Sequence, residues 1–168
     1  MLAAAVLAAV LAKPGSSLTS LSLAENKLGR RFMRSLADGL QRNTSLLTLD
    51  LHHGSLADRD AVELGPALDA NAVLQELNLA WNDVRDLGGV ALAKGLELGR
   101  LRQLDLSFNR LGDEAAVAFA EALKTNNALT SLDISHNRVG TGGALALAET
   151  LPENSALVAL RLGFNAIG

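Results

Sequence analysis

Residues 101–111 read L-R-Q-L-D-L-S-F-N-R-L, and this frame decides the fold. It returns as L-T-S-L-D-I-S-H-N-R-V at 129–139 and as L-Q-E-L-N-L-A-W-N-D-V at 74–84. Apolar residues hold places one, four, six and eleven, and asparagine holds place nine. The units open at Leu18, Leu46, Leu74, Leu101, Leu129 and Leu157, which are 28, 28, 27, 28 and 28 residues apart. So constant a period belongs to a solenoid, in which each unit packs on its neighbours, and not to a single globular core.

Each unit has two halves. L-x-x-L-x-L alternates apolar and polar residues with period two, which predicts a short strand. Beyond it apolar residues recur four apart: Phe32, Leu36 and Leu40; Leu64 and Leu68; Leu92 and Leu96; Ala115, Phe119 and Leu123; Leu147 and Leu151. That spacing predicts an amphipathic helix. Arg30, Asp58, Asp86, Asp113 and Thr141 fall two places after the eleventh position, and all but Arg30 suit a helix N-cap. Thirteen residues further on stand Asn43, Asn71, Gly99, Asn126 and Asn154, residues that tolerate the left-handed backbone closing a helix. A residue missing between Gly99 and Leu101 explains the 27-residue spacing. A helix between two strands sets those strands parallel. The expected fold is an α/β solenoid with strands on the concave side, helices on the convex side, and leucines between.

The frame resembles the leucine-rich repeat L-x-x-L-x-L-x-x-N-x-L. The repeat length and the pairs Leu28-Gly29, Leu111-Gly112 and Val139-Gly140 resemble its ribonuclease-inhibitor-like class, over residues 18–168. The resemblance implies a right-handed horseshoe of about six repeats, a parallel concave sheet backed by α-helices. It also implies that Asn26, Gly54, Asn82, Asn109, Asn137 and Asn165 form a ladder to neighbouring loop backbones, interrupted at Gly54. The class includes NOD-like receptor repeat domains, Ran GTPase-activating protein and intracellular repeat-only proteins, the last with units most similar to these. Residues 1–168 are expected to be one repeat domain. Residues 1–17 would carry the helix of a truncated preceding repeat, closed by Pro14 and by Gly15 in the helix-stop column.

Composition narrows the function. With 49% hydrophobic residues the chain can bury a continuous core, and with no cysteine it has neither disulfides nor cysteine–metal sites. Extracellular members of the resembled family usually carry cysteine caps, so an intracellular, cytoplasmic home is expected, a cytoskeletal or ciliary assembly included. The net charge of −3 disfavours nucleic acid. The apolar run from Met1 to Ala12 has no preceding basic residue and is too short to span a bilayer, so it reads as a helix and no membrane partner is expected.

Two columns carry the candidate site. Place eight reads Glu25, His53, Trp81, Phe108, His136 and Phe164, holding the one tryptophan and two of the four phenylalanines. These rings either pack on one another at the strand ends or form an exposed binding stripe. Place five reads Ser22, Asp50, Asn78, Asp105, Asp133 and Arg161. Asp105 and Asp133 on adjacent strands would lie about 5 Å apart, repel, and share a proton or a cation. An electronegative floor for a partner's lysines or arginines is the better reading than an acid–base pair, because no pocket closes over an open sheet. His53 and His136 are three strands apart and cannot share a metal. There is no phosphate loop, nucleophile elbow or H-E-x-x-H. Lys27, Arg30, Arg31 and Arg34 read as a solvated basic face at the start of a helix.

The expected function is a non-enzymatic protein–protein interaction scaffold, without cofactor, metal or catalytic residues. Trp81, Phe108, His136, Phe164 and His53 would anchor a protein partner, with Asp50, Asp105 and Asp133 as charge partners. The resemblance also admits a GTPase activator like Ran GTPase-activating protein, or a ligand-sensing repeat fragment of a NOD-like receptor. Polar capping repeats at the ends are not evident, so end-to-end self-association is a further expectation.

Overall fold

The computed structural model describes residues 2–13 and 15–168; Pro14, expected to close the first helix, lies outside the described residues. Helices and strands alternate as α1 (Leu2–Leu11), β1 (Ser20–Ser22), α2 (Arg30–Arg42), β2 (Thr48–Asp50), α3 (Asp58–Ala70), β3 (Glu76–Asn78), α4 (Asp86–Leu96), β4 (Gln103–Asp105), α5 (Asp113–Leu123), β5 (Ser131–Asp133), α6 (Thr141–Thr150) and β6 (Ala159–Arg161). The strands form one six-stranded parallel sheet in chain order. The register pairs like with like, as in Leu49↔Leu77 and Leu77↔Leu104. It passes unbroken through the 27-residue unit, so the missing residue is absorbed in the loop.

The core is the frame itself. Leu46, Leu49, Leu51 and Leu56 are at most 1% exposed, and the same four places are buried in the next three units. Facing them are Met33, Leu36, Leu40, Leu64, Leu68, Leu92, Leu96, Phe119, Leu123 and Leu147 from the helices. Each buried leucine contributes about 1.5–3 kcal/mol of transfer free energy. Leu151 departs from the expected helical face: it lies past the end of α6 and is exposed. α3 and α4 approach closely enough that a Cβ at Gly65 would fall on the Ala91 carbonyl, and one at Gly95 on that of Gly65.

Both helix-boundary columns do something other than expected. Arg30, Asp58, Asp86, Asp113 and Thr141 are first helical residues, and the N-caps are Gly29, Ala57, Arg85, Gly112 and Gly140. The aspartates cap the helix of the following repeat. Asp58 Oδ1 accepts the N–H groups of Arg85 (2.7 Å) and Gly88 (3.0 Å), Asp86 Oδ1 those of Gly112 and Ala115, and Asp113 Oδ1 that of Gly140. Arg30 cannot serve α3 in this way, and there Asp60 Oδ2 takes the Ala57 N–H instead.

The presumed helix-stop column is not left-handed, Gly15 apart (φ +76°). Asn43 and Asn71 are extended (φ −73° and −85°) and buried. Each asparagine reaches back to the preceding helix and forward into its own loop. Asn71 Nδ2 donates to the Leu40 and Asn43 carbonyls, and its Oδ1 accepts the N–H groups of Val73 and Leu74. Asn43, Asn126 and Asn154 repeat the pattern, Asn43 onto the Leu11 carbonyl of α1. A buried amide with its donors and acceptor all engaged suits an interior that tolerates no orphan polar group.

The expected ladder runs along place nine. Asn109 Nδ2 donates to Leu79 of the preceding repeat and to Leu106 and Ser107 of its own, while its Oδ1 accepts the Val84 N–H. Asn82, Asn137 and Asn165 do the same. Where Gly54 interrupts, the Leu28 N–H is shared between the main-chain carbonyls of Asn26 (3.0 Å) and Gly54 (3.2 Å) in place of the missing side chain.

Candidate functional site

The six parallel strands leave one face open, and period two puts places three and five of every unit on it. Thr48, Asp50, Glu76, Asn78, Gln103, Asp105, Ser131, Asp133 and Arg161 line an open trough of about 350 Å³ along the middle of the sheet. Asp50, Glu76, Asp105 and Asp133 make its floor acidic, with Arg161 at the end near β6. Glu76 is absent from the set read from sequence, although period two applied to place three points to it.

The floor aspartates do not form the expected coupled pair. Asp105 and Asp133 are register partners, yet each carboxylate turns to its own loop. Asp105 Oδ1 accepts the Ser107 N–H at 2.8 Å; Asp133 Oδ1 accepts the N–H and hydroxyl of Ser135 at 2.9 and 2.6 Å. Asn78 holds the Ala80 N–H in the same way at 3.0 Å, so the place requires an acceptor oxygen and not a charge. The shared-proton reading is therefore replaced by one of separately satisfied carboxylates. Asp105 Oδ2 has no partner among the described residues, and Asp133 Oδ2 lies 3.9 Å from Arg161 Nε.

Asp50 is the most engaged. Its Oδ1 is 2.9 Å from His52 Nδ1 and accepts the His52 N–H, and its Oδ2 accepts the Ser22 hydroxyl at 3.1 Å. Burial pulls this carboxyl upward, but the hydrogen bonds from the His52 ring, the His52 N–H and Ser22 outweigh it and hold Asp50 below its ordinary value. His52 Nε2 also stands 3.8 Å from Glu25 Oε1, linking the loops of two repeats. His52, at place seven, is a second residue missing from the sequence-derived set.

Place eight lies just past each strand. Glu25, His53, Trp81, Phe108, His136 and Phe164 all have left-handed backbone, φ between +50° and +58°. The conformation is imposed by the continuing ladder, for Trp81 N–H donates to the Ser107 carbonyl and Phe108 N–H to that of Ser135. Left-handed backbone is uncommon for bulky side chains, and here it lines the rings up in a column. Trp81 and Phe108 are 3.8 Å apart between centroids and 9° from parallel; Phe108 and His136 follow at 3.9 Å, and His136 and Phe164 at 4.1 Å. His53 tilts onto Trp81 at 5.0 Å. Packing and exposure hold together: Trp81 remains 48% exposed and Phe164 80%. Because neighbouring rings cover each other's faces, Phe108 and His136 present edges to solvent. The column offers an apolar edge rather than cation-binding faces.

The structure thus places the aromatic column beside the trough and Asp50, Asp105 and Asp133 within it. Among the described residues no group of three or more histidines, aspartates or glutamates could hold a metal ion, and no helix is long and apolar enough to cross a membrane.

Residues 70–93, 101–120 and 125–148 match the family described as Leucine Rich repeat. NACHT, LRR and PYD domains-containing protein 12 of Mus musculus is 35% identical over 126 residues, covering 73% of this chain and 12% of that protein. Ribonuclease inhibitor of Mus musculus is 35% identical over 116 residues, 68% of this chain and 25% of that protein. The chain therefore spans a quarter or less of the length of these relatives. Among solved structures, leiomodin-1 actin-binding site 2 superposes with a TM-score of 0.67 at 19% identity, over 88% of this chain and 86% of its own. The tropomodulin C-terminal domain of Caenorhabditis elegans gives 0.71 at 16% identity, over 89% and 92%. At such identities the likeness concerns the fold alone.

Proposed function

We propose that this chain, a leucine-rich-repeat protein of the ribonuclease-inhibitor-like class, is a non-enzymatic scaffold that binds a protein partner on its concave face. The observation that carries this reading is the juxtaposition of a half-exposed, preformed aromatic column with an acidic trough. Rings stacked on both sides lose little freedom when a partner covers their edges, so the column is a preorganised anchor. The floor carboxylates make the trough negative, and Asp105 Oδ2, unengaged among the described residues, stands free for a partner's cation, which favours orientation and encounter more than raw affinity. Trp81, Phe108, His136, Phe164 and His53 would supply the apolar contact, and Asp50, Asp105 and Asp133 the charge. A protein, rather than nucleic acid or a membrane surface, fits a floor of this sign. An intracellular, cytoplasmic place of action is part of the same proposal and rests on the family resemblance.

The test uses Trp81→Asn together with Phe108→Asn, since asparagine accepts left-handed backbone. A partner crosslinked to the wild-type chain and identified by mass spectrometry should bind the double variant at least about tenfold more weakly, a loss of roughly 1.4 kcal/mol. The circular dichroism spectrum should not change. Equal binding to both proteins would remove the concave column from the function.

A further inference from the structure

The convex side carries a second unclaimed pattern. The fifth residue of each helix from α3 to α6 is apolar: Val62, Val90, Val117 and Leu145. Val62 and Val117 are each 41% exposed and Leu145 58%, while Val90 is half-buried. In α2 the same position is the exposed Arg34, so the pattern is not a requirement of the repeat. Scattered surface valines would need no explanation, but one per helix in four consecutive repeats makes a continuous apolar ridge along the solenoid axis. At its α3–α4 end the ridge opens into a notch of about 430 Å³ walled by Val62, Pro66, Ala91 and Leu98. Leu98 there is 77% exposed. The close approach of the α3 and α4 backbones at Gly65 and Gly95 forms the notch floor.

The charges beside the ridge are mostly of one sign. Asp69, Glu97, Glu114, Glu121 and Glu149 are all exposed on α3–α6 or just beyond their ends. Of the exposed cations on these helices, Lys124 is paired with Glu121 at 2.6 Å, which leaves Arg59 and Lys94 against Asp69, Glu97, Glu114 and Glu149. An occupant must therefore bring an apolar stripe flanked by cations. Its periodicity follows from the spacing of the helices. Packed helices lie about 8–10 Å apart, and two turns of an α-helix, seven residues, advance about 10.5 Å. Outward side chains on a convex face stand further apart than the helix axes beneath them, so a helix laid across α3–α6 would meet successive ridge residues with about every seventh side chain. An extended strand has no such match, and this face offers no sheet edge.

We propose that the convex ridge Val62–Val90–Val117–Leu145 is a docking surface for a basic amphipathic helix of a partner protein, with one apolar anchor seated in the α3–α4 notch. This surface is independent of the concave trough, so one scaffold would hold two partners at once.

The probe is a synthetic helical peptide of about 24 residues, long enough for some 30 Å of ridge, with leucine at every seventh position flanked by lysines. A control peptide has glutamate in place of lysine. Binding to the 168-residue chain is read by fluorescence anisotropy of labelled peptide. The lysine peptide should bind. Val117→Asp with Leu145→Asp, and the glutamate peptide, should each weaken binding at least about tenfold, about 1.4 kcal/mol. The concave variant Trp81→Asn with Phe108→Asn should leave it unchanged. Should the aspartates disturb the circular dichroism spectrum, Val117→Ser with Leu145→Ser carries the same expectation. No binding of the lysine peptide at about 1 mM, an affinity weaker than about 4 kcal/mol, overturns the proposal. So does equal binding by the ridge variants or the glutamate peptide, or loss of binding in the concave variant.

Discussion

Asp86 Oδ1 accepts the N–H of Gly112 at 2.8 Å, so the first residue of α4 caps α5, the helix of the next repeat. The same oxygen takes the Ala115 N–H at 3.0 Å. Two orphan donors of one helix are thus satisfied from outside it, by a charge placed where the helix dipole favours an anion. Asp86→Ala should cost about 1–2 kcal/mol, at the upper end for a lost cap, read from urea unfolding. Native-state hydrogen exchange locates the effect: amides of Gly112 and Ala115 in the neighbouring repeat should exchange faster. If the change falls on the amides of α4 instead, the carboxylate does not work across the repeat boundary.

Asp133 and Asp105 should respond to substitution as hydrogen-bond acceptors and not as a repelling pair. Asn78 already performs the task with an amide, holding Ala80 N–H at 3.0 Å. Asp133→Asn is therefore expected within about 0.5 kcal/mol of wild type. Asp133→Ala, which orphans the Ser135 N–H and hydroxyl, should lose about 1–2 kcal/mol. Thermal unfolding of both variants separates the cases. A clearly stabilised Asp133→Asn would restore the repulsion argument.

The solenoid was legible because its determinant is a period, and a period survives any single exception. Leu49, Leu77, Leu104 and Leu132 are buried and in register because each occupies place four. The helix-boundary columns were visible for the same reason, but not their roles. An aspartate two residues past place eleven looks like its own helix's cap, and only the packing of the next repeat reveals whose N–H groups it meets. Buried asparagines at Asn43 and Asn71 resemble helix stops for a similar reason, since residue type alone does not separate left-handed backbone from a side-chain bridge. At the candidate site, Trp81 and Phe108 stood out by composition. Their near-parallel stacking depends on left-handed backbone that no pattern of residue types specifies. His52 and Glu76 were hidden because neither recurs in its column.

The acid limb of stability should carry a contribution from Asp50. Its pKa is lowered in the folded protein below the ordinary value of 3.8, because hydrogen bonds from His52 and Ser22 outweigh burial. The unfolded chain then binds the proton more readily than the folded one. The associated stabilisation is fully present above the unfolded value and is lost as pH falls through the folded one. Urea midpoints between about pH 7 and pH 3 should show a steeper acid decline for wild type than for Asp50→Asn. Parallel curves would show that the His52 contacts do not favour the charged carboxylate.

Gly54 tests how far a repeat can do without its place-nine amide. A Cβ there would stand 2.9 Å from the Leu51 carbonyl and 3.1 Å from Leu56 Cγ, so Ala requires the loop to shift. Gly54→Ala should cost about 1–3 kcal/mol, as overpacking does. Asparagine meets the same obstruction but brings a return. From the third repeat on, the place-nine Nδ2 donates to place six of the preceding repeat, as Asn82 does to Leu51, and its Oδ1 accepts that repeat's place-eleven N–H, as Asn82 does from Leu56. The corresponding groups for residue 54 are the Leu23 carbonyl and the Leu28 N–H, the latter now shared by the Asn26 and Gly54 carbonyls. Forming those bonds means drawing the loop into the conformation of its neighbours, which would release Ser55 from its left-handed backbone at φ +55°. The bond to Leu23 is the one net gain, about 1 kcal/mol, and relaxing the left-handed Ser55 contributes about 1 kcal/mol more, which together offset most of the clash. Gly54→Asn should therefore be less destabilised than Gly54→Ala despite its greater bulk. Urea unfolding of the two variants decides it. If Asn is the worse substitution, the second repeat is committed to its own loop geometry and the ladder does not govern it.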